Sequence, residues 1–107
     1  MDFKTLTAEF AQTVPGTDAF LKVKQQSLAL MNSDPGNAAA YFLIYGFARS
    51  YVILHDDEGI TTEVANAAQA QLLGYMRALE SELGQGQALL EAMNRIVLDY
   101  DGRRQLF

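Results

Sequence analysis

Apolar residues recur at steps of three and four along most of the chain, and that period belongs to helices. Phe3, Leu6, Phe10 and Val14 mark a short amphipathic helix that Pro15-Gly16 brings to a stop. Thr17 is placed to cap a second helix, with Asp18 in its first turn. Along this helix Phe20, Val23, Ser27, Leu30 and Met31 share one side. Lys22, Gln25, Gln26 and Ala29 point the other way, and Lys24 stands at the edge of the apolar face, where its stem can lie along apolar neighbours. Turn-forming residues then fill positions 32–37; Asp34 suits an N-cap and Pro35 the first helical position. From about residue 35 to about residue 55 the chain is apolar on nearly every side, which predicts a central helix with neighbours all around it.

His55, Asp56, Asp57, Glu58 and Gly59 form a charged connector. Thr61 or Thr62 caps a long fourth helix with Glu63 near its positive end, and Val64, Ala68, Leu72, Tyr75, Leu79 and Leu83 make its apolar stripe. Gly84 is the expected left-handed cap that closes it. In the fifth helix Leu89, Leu90, Met93, Ile96, Val97 and Tyr100 share a face, and Gly102 ends it before an apolar Leu106-Phe107. No segment alternates with period two for long enough to make a strand; residues 51–54 are β-prone but continue a helical run. The pattern predicts an all-α fold: one domain over residues 1–107, a bundle of four or five helices around a central apolar helix (about 35–55), with mostly antiparallel neighbours.

Composition narrows the chemistry. With no cysteine, disulfide scaffolds, thiolate metal sites and cysteine nucleophiles are excluded, and one histidine leaves little for imidazole catalysis. Residues 1–50 carry four basic and four acidic side chains; residues 51–107 carry four basic and nine acidic ones. A neutral half and an acidic half do not attract a phosphate backbone, so no nucleic acid partner is expected. The longest apolar run, residues 38–54, is broken by Arg49 and Ser50 and is short for a bilayer span, so no membrane association is expected. The first residues lack a basic n-region followed by a continuous apolar stretch, and with no span expected either, a cytoplasmic location is expected.

The residues that suggest a site are few. His55 with Asp56, Asp57 and Glu58 has metal-ligand residue types, but four consecutive side chains at a helix end cannot converge on one ion, and no metal site is expected. His55 instead suits the negative end of the third helix. The same acids argue against a phospho-accepting histidine, since they would repel the incoming group. Residues 34–41 resemble a tetratricopeptide repeat junction over fewer than a dozen positions, but no second unit follows at that family's period and nothing is carried over.

Tyr41, Tyr45 and Arg49 recur at four-residue steps on the central helix. Two phenols with a guanidinium can hold a carboxylate or phosphate or anchor a partner; alternatively Arg49 pairs internally while the phenols bond at the bundle's edge. On the fourth helix Ala67, Ala70, Gly74, Ala78 and Ser81 line the side opposite its large apolar stripe, a smooth face suited to self-association. Gly46 and Ser50 make a similar notch on the central helix.

No nucleophile elbow, phosphate loop or paired-carboxylate motif is present, so no catalytic residue and no cofactor are assigned. What remains predicts a small acidic protein-binding module, an adaptor, regulator or immunity-type inhibitor that acts on another protein and also forms a homodimer. The alternatives are a bundle holding a small anion at Tyr41, Tyr45 and Arg49, or a metal-free enzyme using those groups.

Overall fold

The structure, a computed structural model, describes residues 1–55 and 59–107. These form five α-helices and one 3₁₀ turn: α1 (Phe3–Gln12), α2 (Thr17–Ser33), the turn Pro35–Asn37, α3 (Ala38–His55), α4 (Thr62–Glu80) and α5 (Gln87–Gly102). No strand occurs among the described residues, and residues 51–54 are helical, so the protein is an all-α helical bundle. Asp56, Asp57 and Glu58 of the acidic connector lie outside the described residues. No described helix is long and apolar enough to cross a membrane.

Each helix begins and ends for a local reason. Asp2 caps α1 by accepting the Thr5 N–H at 2.7 Å, and Thr61 caps α4 by accepting the Val64 N–H at 3.2 Å. Gly16, rather than Thr17, is the N-cap of α2: its φ of +153° is open to glycine and leaves Thr17 as the first helical residue. α1 ends at Gln12, so Val14 falls beyond it and is exposed instead of joining Phe3, Leu6 and Phe10 in the core. Gly84 takes the expected left-handed conformation, at φ +76°, but sits in a turn beyond Ser81, the residue that caps α4.

The core is built from aromatic rings. Phe20 of α2 stacks on Tyr51 of α3, with centroids 3.7 Å apart and planes 12° from parallel. Phe107 enters from beyond α5 and is fully buried, 5.4 Å from the Phe47 ring and 5.7 Å from that of Tyr100. Two hydrogen bonds hold this returning segment: the Tyr100 hydroxyl donates to the Phe107 carbonyl, and His55 Nε2 lies 3.0 Å from the Leu106 carbonyl. Elsewhere Gln69 of α4 donates through Nε2 to the carbonyls of Phe10 (2.9 Å) and Thr13 (3.0 Å), tying down the end of α1.

Two expectations about coverage are corrected. The central helix is not surrounded: Ala40, Tyr41, Ile44, Phe47, Ala48 and Tyr51 are buried, while Phe42, Arg49, Ile53 and Leu54 face outward. The short remainder of the chain covers only part of the circumference. On α5 only Ala92 and Ile96 are buried; Leu89, Met93 and Tyr100 are half-buried, and Leu90 and Val97 are exposed. Because Phe107 fills the space between several helices, Phe107→Ala is expected to lower unfolding free energy by about 3–5 kcal/mol, read from urea titration by circular dichroism. A loss below about 1 kcal/mol would show that the ring's seat is dispensable.

Candidate functional site

A step of four residues on a helix advances the side chain by about 40° beyond a full turn. Over Tyr41, Tyr45 and Arg49 this drift carries the side chains from the core to the surface. Tyr41 is buried, and its hydroxyl donates to Asp34 Oδ2 at 2.5 Å; the same oxygen accepts from Asn37 Nδ2 at 2.9 Å. Tyr45 is half-buried with its ring 6.0 Å from that of Phe42, and Arg49 is exposed and makes no ion pair among the described residues. The structure therefore does not bring the expected trio to one surface: Tyr41 is a structural residue, and only Tyr45 and Arg49 reach the outer side.

What accompanies Arg49 there is apolar. Phe42 is 58 % exposed and Ile53 is 60 % exposed, on one row with Gly46 and Arg49. A Cβ added at Gly46 would meet nothing within 4 Å, so the notch is not needed by packing inside the bundle. On α5, Asp99 is turned toward α4 by its bond with Tyr75, and Leu90 and Val97 stand about half a turn away from it. That flank continues past Met93 to Tyr100, whose ring lies 4.8 Å from Phe47 of α3. The outer side of α3 thus carries large uncovered apolar side chains beside Arg49, and Leu90 and Val97 are uncovered on α5.

The small-residue side of α4 is also where the sequence places it. Ala67, Ala70, Gly74 and Ala78 are all exposed, and a Cβ at Gly74 would meet nothing within 4 Å. Beside them runs a groove of about 380 Å³ walled by the last turn of α5. Its wall is a chain of hydrogen bonds: Gln71 Nε2 donates to the Tyr75 oxygen at 2.8 Å, the Tyr75 hydroxyl donates to Asp99 Oδ2 at 2.7 Å, and Arg103 Nε reaches the same oxygen at 2.9 Å. Burial first, and then the bond to Asp99, push the Tyr75 phenol up to about 12. The Tyr75 bond, against some desolvation and with help from Arg103, holds the Asp99 carboxyl below its ordinary value.

A third concavity, a cleft of about 570 Å³, opens near Asp34 and Tyr41. Lys4 and Arg77 line it, opposed by the carboxylates of Asp2, Asp34 and Glu80. Hydrogen bonds from Tyr41 and then Asn37 hold the Asp34 carboxyl below its usual value, while burial and the bond to Asp34 raise the Tyr41 phenol. Three carboxylates against two cations give no net attraction for an anion. His55 sits in the last turn of α3, and its Nε2 lies 3.0 Å from the Leu106 carbonyl of the returning segment.

Fold and surface together define an all-α bundle with an uncovered apolar side and a separate small-residue side. No known protein family, curated protein or solved structure matches this chain. The exposure of Phe42, Ile53, Leu90 and Val97 was not visible in the sequence, where each occupies a core-compatible spacing. The polar chain had a partial signal, since Gln71 and Tyr75, and Asp99 and Arg103, stand four residues apart.

The different placements of Tyr41 and Arg49 make different mutants. Arg49→Ala is expected to change stability by no more than about 0.5 kcal/mol, whereas Tyr41→Phe lowers the melting temperature by about 5 °C. Differential scanning calorimetry of both variants checks the pair; a large effect of Arg49→Ala would mean that its guanidinium is held internally.

Stability should also fall at both ends of the pH range. Asp34 and Asp99 have folded pKa values below their unfolded ones, so their contribution is present above about pH 4 and is lost as pH falls through the folded values. Tyr75 is shifted the other way; its contribution is present below about pH 10 and is lost as pH rises toward about 12. Melting temperature plotted against pH is expected to show both limbs, and Tyr75→Phe should reduce both, with Tyr41 and Tyr51 sustaining the rest of the alkaline one. An unchanged profile would mean that the Tyr75–Asp99 bond contributes nothing to the linkage.

Proposed function

We propose that this protein acts by binding another protein through the outer side of α3 and the adjoining flank of α5. The observation that carries the reading is the row Phe42, Gly46, Arg49 and Ile53, which leaves two large apolar side chains in water around a notch that nothing inside the bundle fills. Isolated exposed apolar residues are ordinary, but a row of them on one helix, with Leu90 and Val97 also uncovered on α5, has the make-up of an interface centre. Gly46 gives a partner backbone room to approach, Phe42 and Ile53 offer anchors on either side, and Arg49 selects a carboxylate between them.

The natural occupant is an amphipathic helix carrying an apolar row with one acidic residue opposite Arg49. The net charge of −5 favours encounter with a protein that is basic overall, which fits an adaptor or an inhibitor of a basic protein. Nothing in this reading requires a cofactor or a catalytic group. A small-anion site draws less support, because Tyr41 is turned inward and Arg49 stands on an open convex surface.

The test is site-specific photo-crosslinking in cells, with the probe at position 42, 49 or 53, or at exposed Ala8 on α1 as control. One adduct of defined mass is expected from the three α3 positions and not from Ala8. Adding Phe42→Asp and Ile53→Asp together should abolish the adduct from position 49 while the melting temperature stays within about 3 °C. No adduct, the same adduct from Ala8, or an adduct only with a second copy of the chain overturns the reading.

A further inference from the structure

The seat of Phe107 is furnished both for a ring and for the main chain that carries it. The rings of Phe47 and Tyr100 stand 5.4 Å and 5.7 Å from that of Phe107, those of Phe20 and Tyr75 6.2 Å and 6.4 Å away, and the residue is fully buried. The Tyr100 hydroxyl donates to the Phe107 carbonyl. His55 Nε2 lies 3.0 Å from the Leu106 carbonyl, which can only accept, so the ring nitrogen is the donor. Leu106 itself is half-buried against the same core. Main-chain hydrogen bonds for affinity and side-chain pockets for specificity are how proteins hold an extended peptide, and this seat supplies both to an aliphatic–aromatic pair.

Little else ties the occupant down. Arg103, Arg104 and Gln105 are exposed. Arg103 pairs with Asp99 at 2.9 Å, and its N–H makes the cap bond to the Tyr100 carbonyl. Beyond that cap, residues 104–107 make no main-chain to main-chain hydrogen bond among the described residues. They are held by their far end alone, and lifting them away breaks no main-chain bond of any helix.

We propose that the Phe107 seat is a peptide-binding site, which residues 104–107 of this chain occupy as a tethered stand-in for the ligand. The external ligand is an extended segment of a partner protein with an aliphatic residue followed by an aromatic one, the pattern of Leu106-Phe107. Its ring enters among Phe20, Phe47, Tyr75 and Tyr100, and His55 and Tyr100 donate to its two carbonyls. One ring replaces another, so the core stays filled during the exchange. A tethered segment competes at an effective concentration on the order of millimolar, so a partner must add contacts beyond the seat to displace it at lower concentration. The strap is thus an autoinhibitory contact that sets a threshold for binding. The seat uses none of Phe42, Arg49 and Ile53, and it does not rest on the reading given for that row.

The test uses the full chain with 4-fluorophenylalanine at position 107, whose fluorine resonance distinguishes a docked ring from a released one. The probe is the peptide acetyl-Gln-Leu-Phe-amide, with acetyl-Gln-Leu-Ala-amide as control. At about 10 mM, above the effective concentration of the tether, the first peptide is expected to move about half of the signal or more to the released position, and the control none. Helical circular dichroism should not change. Phe107→Asp puts a carboxylate on the strap that the apolar seat rejects, so this variant should bind the peptide at least about tenfold more tightly than wild type, read by calorimetry. Where Phe107→Asp is unfolded by itself, the peptide should restore its helical circular dichroism. Adding His55→Ala should weaken the peptide's effect at least about threefold. A signal that stays docked, release only together with loss of helix, equal action of the control peptide, or a Phe107→Asp chain that neither binds the peptide nor regains helix from it would each overturn the proposal. So would His55→Ala without effect, or a strap exchanged between two copies, seen as a dimer in sedimentation equilibrium.

Discussion

Burying Phe107 is the constraint around which the bundle is arranged. The Phe20–Tyr51 stack joins α2 to α3, and Phe107 lies against the same group of rings, near Phe20, Phe47, Tyr75 and Tyr100. A single aromatic side chain therefore contacts α2, α3, α4 and α5. For it to arrive there, the chain must leave α5 at Gly102 and turn back along the bundle, and the carbonyls of Leu106 and Phe107 are held by His55 and Tyr100 as it does so. Burial of one ring and satisfaction of two carbonyls are achieved together, and they add to the anchoring of α5 by its buried Ala92 and Ile96.

Polar ties at the corners supply what the core does not. Asp34 collects Asn37 and Tyr41 at the junction of α2 and α3, and the Asn37 carboxamide oxygen accepts the Gly84 N–H at 2.9 Å from the distant turn after α4. Gln69 does similar work at the end of α1. Each tie satisfies backbone or side-chain groups that would otherwise be lost from water, and each links elements far apart in sequence. The uncovered row on α3 is the counterpart of this economy: five short helices close one core and leave one side of the apolar helix in solvent.

The two uncovered sides differ in kind. The α3 side has large apolar side chains beside Arg49, and the partner proposed for it is one that brings complementary bulk. The α4 side has almost no bulk: Ala67, Ala70, Gly74 and Ala78 are exposed, beside the Gln71–Tyr75–Asp99 hydrogen-bond chain.

Helix number, order and approximate bounds follow from the sequence itself, because a 3.6-residue apolar period and capping side chains are local properties of the chain. Asp2 and Thr61 act within three residues of where they stand, and the small side of α4 is legible because Ala67, Ala70, Gly74 and Ala78 repeat at helical spacing. Whether an apolar position is covered is not local. Tyr41 and Phe42 are adjacent and both aromatic, yet one is buried on Asp34 and the other faces water, since the packing of the surrounding helices decides which arc of α3 is closed. The burial of Phe107 and the open row on α3 both depend on contacts between residues tens of positions apart, and those exist only in the folded chain.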